Sequence, residues 1–230
     1  MKHAFDRPET PSPELAAACR ALGCPVPEEA LGPLEVYLSL LMSWNRVMNL
    51  MGAKNRQEAL CLVADSFFLA RFLQELPLPP QPLTWDLGAG AGLPGIPLRM
   101  VWQAGEYHMV EIREKRAIFL NTALARLELP NTWALRERAE HFFARMLAQK
   151  RPADLILSRA FMPWEKLLPF VADSLAPGGF VCLAGKGPLP GPLSEAWSLA
   201  AEYAYELDGA QRFFWMLRKK DVAERGTCGT

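Results

Sequence analysis

The sequence lacks a net charge and lacks long apolar runs. Its 25 Lys and Arg residues are balanced by 25 Asp and Glu residues, so the chain as a whole has no electrostatic reason to bind a polyanion. No apolar run approaches the roughly 20 residues that a helix needs to cross a bilayer, and residues 1–13 show no apolar segment typical of secretory signals. We therefore expect a soluble, cytoplasmic protein that begins with a short disordered tail.

Cysteine and histidine are also scarce. The three histidines lie far apart, and the cysteines, odd in number, include no Cys-x-x-Cys pair. Because zinc sites need several such ligands at short spacing, we expect no bound metal. Most of the cysteines lie in apolar segments, which favours reduced, structural thiols. They are Cys19, Cys24, Cys61, Cys182 and Cys228.

A proline-rich segment divides the chain. Four of the six residues at 77–82 are proline, and proline cannot continue a helix. Before this segment, from Ser12 to Leu76, apolar residues recur at helical spacing. We expect a tail and a helical subdomain over residues 1–80 and a second domain over residues 81–230.

The second domain has the alternating pattern of a doubly wound α/β fold. Strands are predicted at 83–87, 107–112, 132–136, 154–158 and 180–184, with a last strand at 212–218. Helices are predicted to begin near Pro94, Lys115, Ala139 and Met162. Strands joined by helices at this spacing run parallel, and the helices cover both faces of one sheet.

The turn after the first predicted strand is rich in glycine. Asp86 precedes Gly88, Gly90 and Gly92, and glycine at every second position lets the backbone approach a ligand without a Cβ clash. Glu111 ends the next strand, where a carboxylate can accept both ribose hydroxyls of a nucleoside. Asp86 is placed to accept a hydrogen bond from a cationic amino group. These features together predict S-adenosylmethionine as the ligand.

Two alternatives to this ligand stay open. Gly90, Gly92 and Gly95 also fit a dinucleotide fingerprint. However, Pro94 and Pro97 each remove an N–H group that a pyrophosphate would need at the start of the helix. The second alternative is a glycine turn that binds nothing. We favour S-adenosylmethionine over both.

Several strings of residues match one known family. They are Trp44-Asn45-x-x-x-Asn49-Leu50, Asp65-Ser66, Asp86-x-Gly88-x-Gly90-x-Gly92-Leu93-Pro94-Gly95-Ile96-Pro97, Lys115-Arg116-x-x-Phe119-Leu120, Arg138-Ala139-Glu140, Ser158-Arg159-Ala160 and Lys186-Gly187. With these strings, most of the chain from about Leu34 onward resembles the RsmG family, also called GidB. Its members are 16S ribosomal RNA methyltransferases that act on N7 of a guanine.

The resemblance implies a fold, a cofactor and a partner. The fold is a mostly parallel, seven-stranded Rossmann-like methyltransferase sheet with an N-terminal helical extension. The cofactor is S-adenosyl-L-methionine, and the partner is ribosomal RNA or the small ribosomal subunit. The resemblance places the cofactor against Gly88, Gly90, Leu93, Glu111, Ala139, Glu140 and Arg159, and the reasoning above adds Asp86 and Gly92.

Substrate contacts are expected from cations at strand ends. Arg159 and Lys186 face the predicted cleft and are suited to RNA phosphates. Asn45 and Asn49 belong to the part of the helical subdomain that, according to the resemblance, faces the substrate. Guanine N7 carries a lone pair and no proton, so alignment and exclusion of water suffice, and we predict no catalytic acid or base.

Two positions depart from the family pattern. Leu62 stands where a histidine is usual, and Met51 stands where a threonine is usual. Both bear on the target nucleotide rather than on the cofactor. Apart from these departures, two other functions stay open, a methyltransferase that acts on a small molecule or protein and a nucleoside-binding module without catalysis.

Overall fold

The described residues before the proline-rich segment form three helices, and the apolar spacing predicts helical structure there without giving their number. The protein is described from a computed structural model, which covers residues 11–220. The predicted tail spans residues 1–13, and its residues 1–10 lie outside the described residues. The prediction is wrong for Ser12 and Pro13, which cap and begin the first helix. Ser12 and Asn55 cap two of the helices, because their side-chain oxygens accept hydrogen bonds from backbone N–H groups of the first turn. The helices are α1 (Pro13–Ala21), α2 (Glu28–Met48) and α3 (Arg56–Gln74).

Strands and helices alternate after the proline-rich segment. They are β1 (Leu83–Leu87), α4 (Gly95–Val101), β2 (Glu106–Glu111), α5 (Glu114–Leu127), β3 (Thr132–Arg136), α6 (Ala139–Ala148), β4 (Ala153–Ser158), α7 (Trp164–Val171), β5 (Leu175–Gly185), β6 (Trp197–Leu207) and β7 (Ala210–Lys219). The sequence patterns locate all of these strands except β6, and the four predicted helix starts are correct within two residues.

The sheet has the strand order β3-β2-β1-β4-β5-β7-β6. The first five strands in this order run parallel, whereas β7 is antiparallel to both β5 and β6. The described residues therefore confirm the predicted α/β class and the mostly parallel, seven-stranded sheet. The strand order reverses between β1 and β4, which places a ligand crevice at the carboxyl ends of these two strands.

The N-terminal helices share an apolar core with one face of the sheet. Helix α2 packs against α5, where Trp44 meets Phe119 at a ring distance of 5.7 Å. Helix α3 packs against α4 and β6, and Phe68 stacks on Tyr205 at 4.5 Å. The core is thus continuous across the proline-rich segment. The division into domains at residue 80 stays a prediction.

A fully buried arginine ties together the amino ends of β2 and β3. The Arg99 guanidinium of α4 donates to the Thr132 hydroxyl and to backbone carbonyls in the segments that precede β2 and β3. These carbonyls belong to Trp102, Gln103, Ala104, Gly105 and Pro130. Burial lowers the pKa of Arg99 to about 10, so the group is charged at neutral pH. It stabilises the end of the sheet opposite the crevice.

The four described cysteines, Cys19, Cys24, Cys61 and Cys182, are free thiols, and Cys228 lies outside the described residues. No helix between residues 11 and 220 is long and apolar enough to span a membrane.

Candidate functional site

The glycine turn between β1 and α4 has a left-handed backbone. Gly88, Gly90 and Gly92 have φ angles of 71°, 58° and 79°, a conformation that disfavours any residue with a Cβ. A Cβ on Gly92 would lie 2.4 Å from Ile96 Cδ1, so Gly92 permits close packing of the turn on α4. At Gly90 the nearest side-chain atom would be 3.6 Å away, on Arg116. Gly90 is therefore the position with room for a ligand.

Glu111 lies beside this turn, as its position in the sequence predicts. Its Oε2 accepts a hydrogen bond from the Gly90 N–H at 3.0 Å, and its Oε1 accepts one from the Arg113 N–H at 2.8 Å. The Arg116 guanidinium lies 4.0 Å from the carboxylate. Two backbone donors thus fix the orientation of the carboxylate. Each oxygen keeps a lone pair with which it can accept a ribose hydroxyl.

Asp86 lies beneath the turn and is almost fully buried. Its Oδ2 accepts a hydrogen bond from the Tyr107 hydroxyl at 3.0 Å, and its Oδ1 has no partner among the described residues. Burial raises the pKa of Asp86 to about 7, against the lowering effects of the Tyr107 hydroxyl, the Gly95 N–H and the Arg159 charge. An unpartnered buried oxygen of this kind is suited to a cationic donor.

Ile112 is a residue of this edge that no sequence motif marks as functional. It follows Glu111, and its apolar side chain is 53% exposed at the carboxyl end of β2. Ala139 and Glu140 begin α6 after the neighbouring strand, where Ala139 is buried and Glu140 is exposed, 3.5 Å from Arg138. These residues lie at the same edge of the sheet as the glycine turn, because β3 pairs in parallel with β2.

Arg159 follows β4, and its guanidinium is anchored to α3. It donates to the Leu62 carbonyl at 2.9 Å and lies 3.2 Å from an oxygen of Asp65. Two residues later, the Phe161 ring packs so closely on Gly88 that a Cβ there would lie 2.8 Å from it. Lys186 is exposed in the loop after β5. The structure thus brings Arg159 to the crevice, and its contact with Asp65 is not apparent from the sequence.

The asparagines of the helical subdomain have different environments. The Asn45 amide donates to the Ala53 carbonyl at 2.8 Å and accepts from the Met51 N–H at 2.9 Å. Asn45 therefore fixes the loop that follows α2. Asn49 caps α2 with a left-handed backbone and an exposed side chain. The substrate contacts proposed for both residues stay predictions.

Tyr37 is a further residue that the sequence did not single out. Its buried hydroxyl donates to the Ala91 carbonyl in the glycine turn at 2.7 Å. Tyr37 lies on the fully buried stripe of α2 that also contains Leu34, Leu38 and Leu41. A single hydroxyl within an apolar stripe is the signal that could have identified it, since a buried hydroxyl needs a partner.

The residues at this edge fit a nucleoside with a cationic amino group better than a dinucleotide. The Ile96 N–H already donates to the Gly92 carbonyl, and the Gly95 N–H contacts Asp86. Pro97 has no N–H, so the start of α4 has little to offer a pyrophosphate. By contrast, Gly90 leaves space beside the turn, Glu111 has a carboxylate oriented by two backbone donors, and Asp86 has one oxygen without a partner among the described residues. No group of three potential metal ligands occurs within residues 11–220.

A solved structure shares this fold. The O-methyltransferase from Bacillus cereus in complex with SAH superposes with a TM-score of 0.59 at 14% identity, over 89% of this chain and 97% of that one. Together with the family match over residues 31–196, this fold identifies the chain as an S-adenosylmethionine-dependent methyltransferase.

The particular family is shown by the sequence comparisons. Residues 31–196 match the model of the GidB family, rRNA small subunit methyltransferase G. The Ribosomal RNA small subunit methyltransferase G of Nitratidesulfovibrio vulgaris is 51% identical over 213 residues, which is 92% of this chain and 96% of that protein. The protein of the same name from Oleidesulfovibrio alaskensis is 44% identical, over 93% of this chain and 97% of that protein. The chain belongs to the GidB family, which confirms the resemblance.

Proposed function

We propose that the protein transfers a methyl group from S-adenosylmethionine to N7 of a guanine in small-subunit ribosomal RNA. The observation that carries this proposal is the pairing of Gly90 with Glu111 at the crevice of a chain that belongs to the GidB family. The names of the two relatives support ribosomal RNA as the substrate. The reaction takes place in the cytoplasm, on the RNA or on the small subunit.

Each cofactor group has a proposed partner. The Glu111 carboxylate accepts the ribose hydroxyls, and the free oxygen of Asp86 accepts a hydrogen bond from the amino group. The backbone at Gly90 leaves space for the cofactor, and Gly88, Gly92 and Leu93 form the rest of the turn against which it lies. Around the adenine, the exposed Ile112 provides an apolar face beside Ala139 and Glu140. Arg159, which follows β4 on the other side of β1, completes the proposed cofactor set.

The main task of this chain in the reaction is to align the methyl group with guanine N7. S-adenosylmethionine supplies an electrophilic methyl group when bound. Guanine N7 has an in-plane lone pair and no proton to lose, so the protein gains rate by holding the two reactants in line and excluding water. Arg159 and Lys186 hold RNA phosphates at the carboxyl ends of β4 and β5, while Asn45 and Asn49 contact the RNA from the helical subdomain.

Calorimetry with the purified full chain tests the cofactor. We expect S-adenosylmethionine to bind at a single site, and NAD not to bind. Absence of S-adenosylmethionine binding, or clear binding of NAD, would contradict the proposed cofactor contacts.

Mass spectrometry of cellular RNA tests the substrate. Small-subunit RNA from cells that lack the gene should be missing one 7-methylguanosine that cells with the gene contain. Reintroducing the wild-type gene should restore it. An unchanged inventory of 7-methylguanosine would instead favour a small-molecule or protein substrate.

A further inference from the structure

One carboxylate joins three separate parts of the chain beside the crevice. Asp65 of α3 accepts a hydrogen bond from the Tyr205 hydroxyl of β6 at 2.9 Å and from Arg212 of β7 at 2.7 Å, both on Oδ1. Its Oδ2 lies 3.2 Å from Arg159 Nη2. Burial, together with the neighbouring Asp65 charge, raises the pKa of Tyr205. The phenol therefore stays protonated and donates to Asp65.

This cluster fixes the location of the Arg159 guanidinium. Burying a carboxylate with two guanidiniums adds little net stability, because the desolvation cost offsets most of the attraction. The main effect of the cluster is therefore to fix the positions of its side chains. The Leu62 carbonyl and the Asp65 carboxylate, one turn apart on α3, hold the two terminal nitrogens of Arg159. Tyr205 and Arg212 hold Asp65 in turn.

Arg159 keeps the capacity to bind a ligand while it is held. Its side chain is 24% exposed. A guanidinium has five N–H donors, and the contacts with Leu62 and Asp65 leave the others available. A cavity of about 20 Å³, enough for one water molecule, is lined by Arg159, Ser158 and Pro94 of the glycine turn. Arg159 thus lies between the cluster and the turn that receives the cofactor.

The guanidiniums of the cluster lie at the carboxyl ends of β4 and β5, since Ser158 pairs with Leu183 and Gly185 pairs with Phe213. Arg159 and Arg212 both lie against Asp65, and the Arg159 charge also acts on Asp86. An anionic group that approaches the exposed part of Arg159 meets a guanidinium that is already oriented.

We propose that Asp65 is a positioning residue for methyl transfer, which acts by holding the Arg159 guanidinium toward an anionic group of the substrate. Tyr205 and Arg212 are its supports. The proposal rests on the proposed function, because it assigns the Asp65 cluster to the same site.

A double-mutant cycle tests this inference on the full chain. The variants are Asp65→Asn, Arg159→Gln and their combination, assayed for kcat/KM of methyl transfer to small-subunit RNA at a temperature where all are folded. We expect Asp65→Asn to lower kcat/KM by roughly tenfold or more. The double variant should match Arg159→Gln within about twofold, because Asp65 acts only through Arg159.

The matched control is Glu35→Gln. Glu35 of α2 forms an ion pair with Arg56 of α3, so this variant also removes an ion pair of α3 but one that does not involve Arg159. We expect its kcat/KM to stay within about twofold of the wild type. Multiplication of the two single losses in the double variant, or wild-type kcat/KM for Asp65→Asn, would overturn the proposal.

NMR of the arginine side chains separates this proposal from the proposed function. In the wild type, two guanidiniums near Asp65 should give sharp N–H signals protected from exchange, and Asp65→Asn should broaden both while Glu35→Gln leaves them unchanged. If the wild type transfers no methyl group to RNA, the proposed function fails, and the NMR result still decides whether Asp65 orders Arg159. Unchanged signals in Asp65→Asn would contradict positioning.

Discussion

Asp86 and Glu111 are buried carboxylates at the ends of adjacent strands, yet their surroundings differ. Glu111 accepts two backbone hydrogen bonds, from Gly90 and Arg113. Asp86 has one oxygen without a partner in the described chain. The two backbone donors orient the Glu111 carboxylate toward the site of a neutral diol. The burial of Asp86 instead disfavours its charged form unless a cation binds beside it.

The pH dependence of stability tests the environment of Asp86. Its pKa of about 7 in the folded protein lies above the value of about 3.9 in an unfolded chain. The folded state therefore binds more protons between these values, and the wild type loses stability as pH rises from about 4 to about 7. Urea unfolding of Asp86→Asn should show a stability advantage over the wild type that grows across this window. A difference that is the same at pH 4.5 and pH 7 would contradict the account.

Loss of the Glu111 carboxylate should weaken cofactor binding. We expect Glu111→Gln to lose about 1–3 kcal/mol of S-adenosylmethionine binding in calorimetry, as for removal of a charged hydrogen-bond acceptor. Glu114→Gln is the matched control, because Glu114 is exposed and pairs with Arg136 on the surface. Equal affinities of the two variants would exclude Glu111 from the cofactor site.

Some contacts between single residues are predictable from the sequence and others are not. The proximity of Gly90 and Glu111 follows from the sequence, because parallel neighbouring strands end at the same edge of a sheet. The anchoring of Arg159 by Asp65 does not follow, since it joins residues 94 positions apart whose side chains meet only after α3 docks on the sheet.

At the scale of elements, helix α2 supports the glycine turn through one hydrogen bond. Tyr37→Phe removes the donor to the Ala91 carbonyl and leaves a buried acceptor unpaired. We expect a loss of about 1–3 kcal/mol in the free energy of unfolding, measured by urea denaturation. Tyr203→Phe serves as the control, because the Tyr203 hydroxyl makes no hydrogen bond within the described residues, and it should change stability by less than about 0.5 kcal/mol. Equal stabilities would show that the Tyr37 bond contributes nothing.

The opposite end of the sheet depends on Arg99. Arg99→Met keeps an apolar stem of similar length but leaves the carbonyls that Arg99 contacts without a donor. The variant should lose about 3 kcal/mol or more of unfolding free energy. Arg71→Met, at an exposed position of α3, should lose little. If the Arg99 variant stays within about 1 kcal/mol of the wild type, the guanidinium is not needed to join these elements.

Strand β6 is the element that the sequence patterns miss. Its residues include several alanines and glutamates, which are poor strand formers. It lies at the edge of the sheet, where neighbours rather than propensity determine pairing. The Asp208-Gly209 pair, with φ angles of 54° and 69°, is a hairpin turn signal that locates it in retrospect.

At the scale of the whole molecule, the parallel part of the sheet and the cofactor edge are predictable from the sequence. Their signals are local: a strand, a glycine turn and an acid at the next strand end. The docking of α1–α3 is not predictable in the same way, because amphipathic helices show which face is buried and not which surface they pack against. The contacts of Tyr37 and Asp65 with the second part of the chain arise from that docking.

Reconstitution of the reaction from purified components is the sharpest test of the proposed methyl transfer. Purified protein, S-adenosylmethionine and small-subunit RNA from cells lacking the gene are combined, and the RNA is digested and analysed by mass spectrometry. We predict one 7-methylguanosine per RNA with the wild type, and much less with Glu111→Gln at limiting cofactor. Methylation of another base, or no methylation of naked RNA and of small subunits alike, would contradict the account.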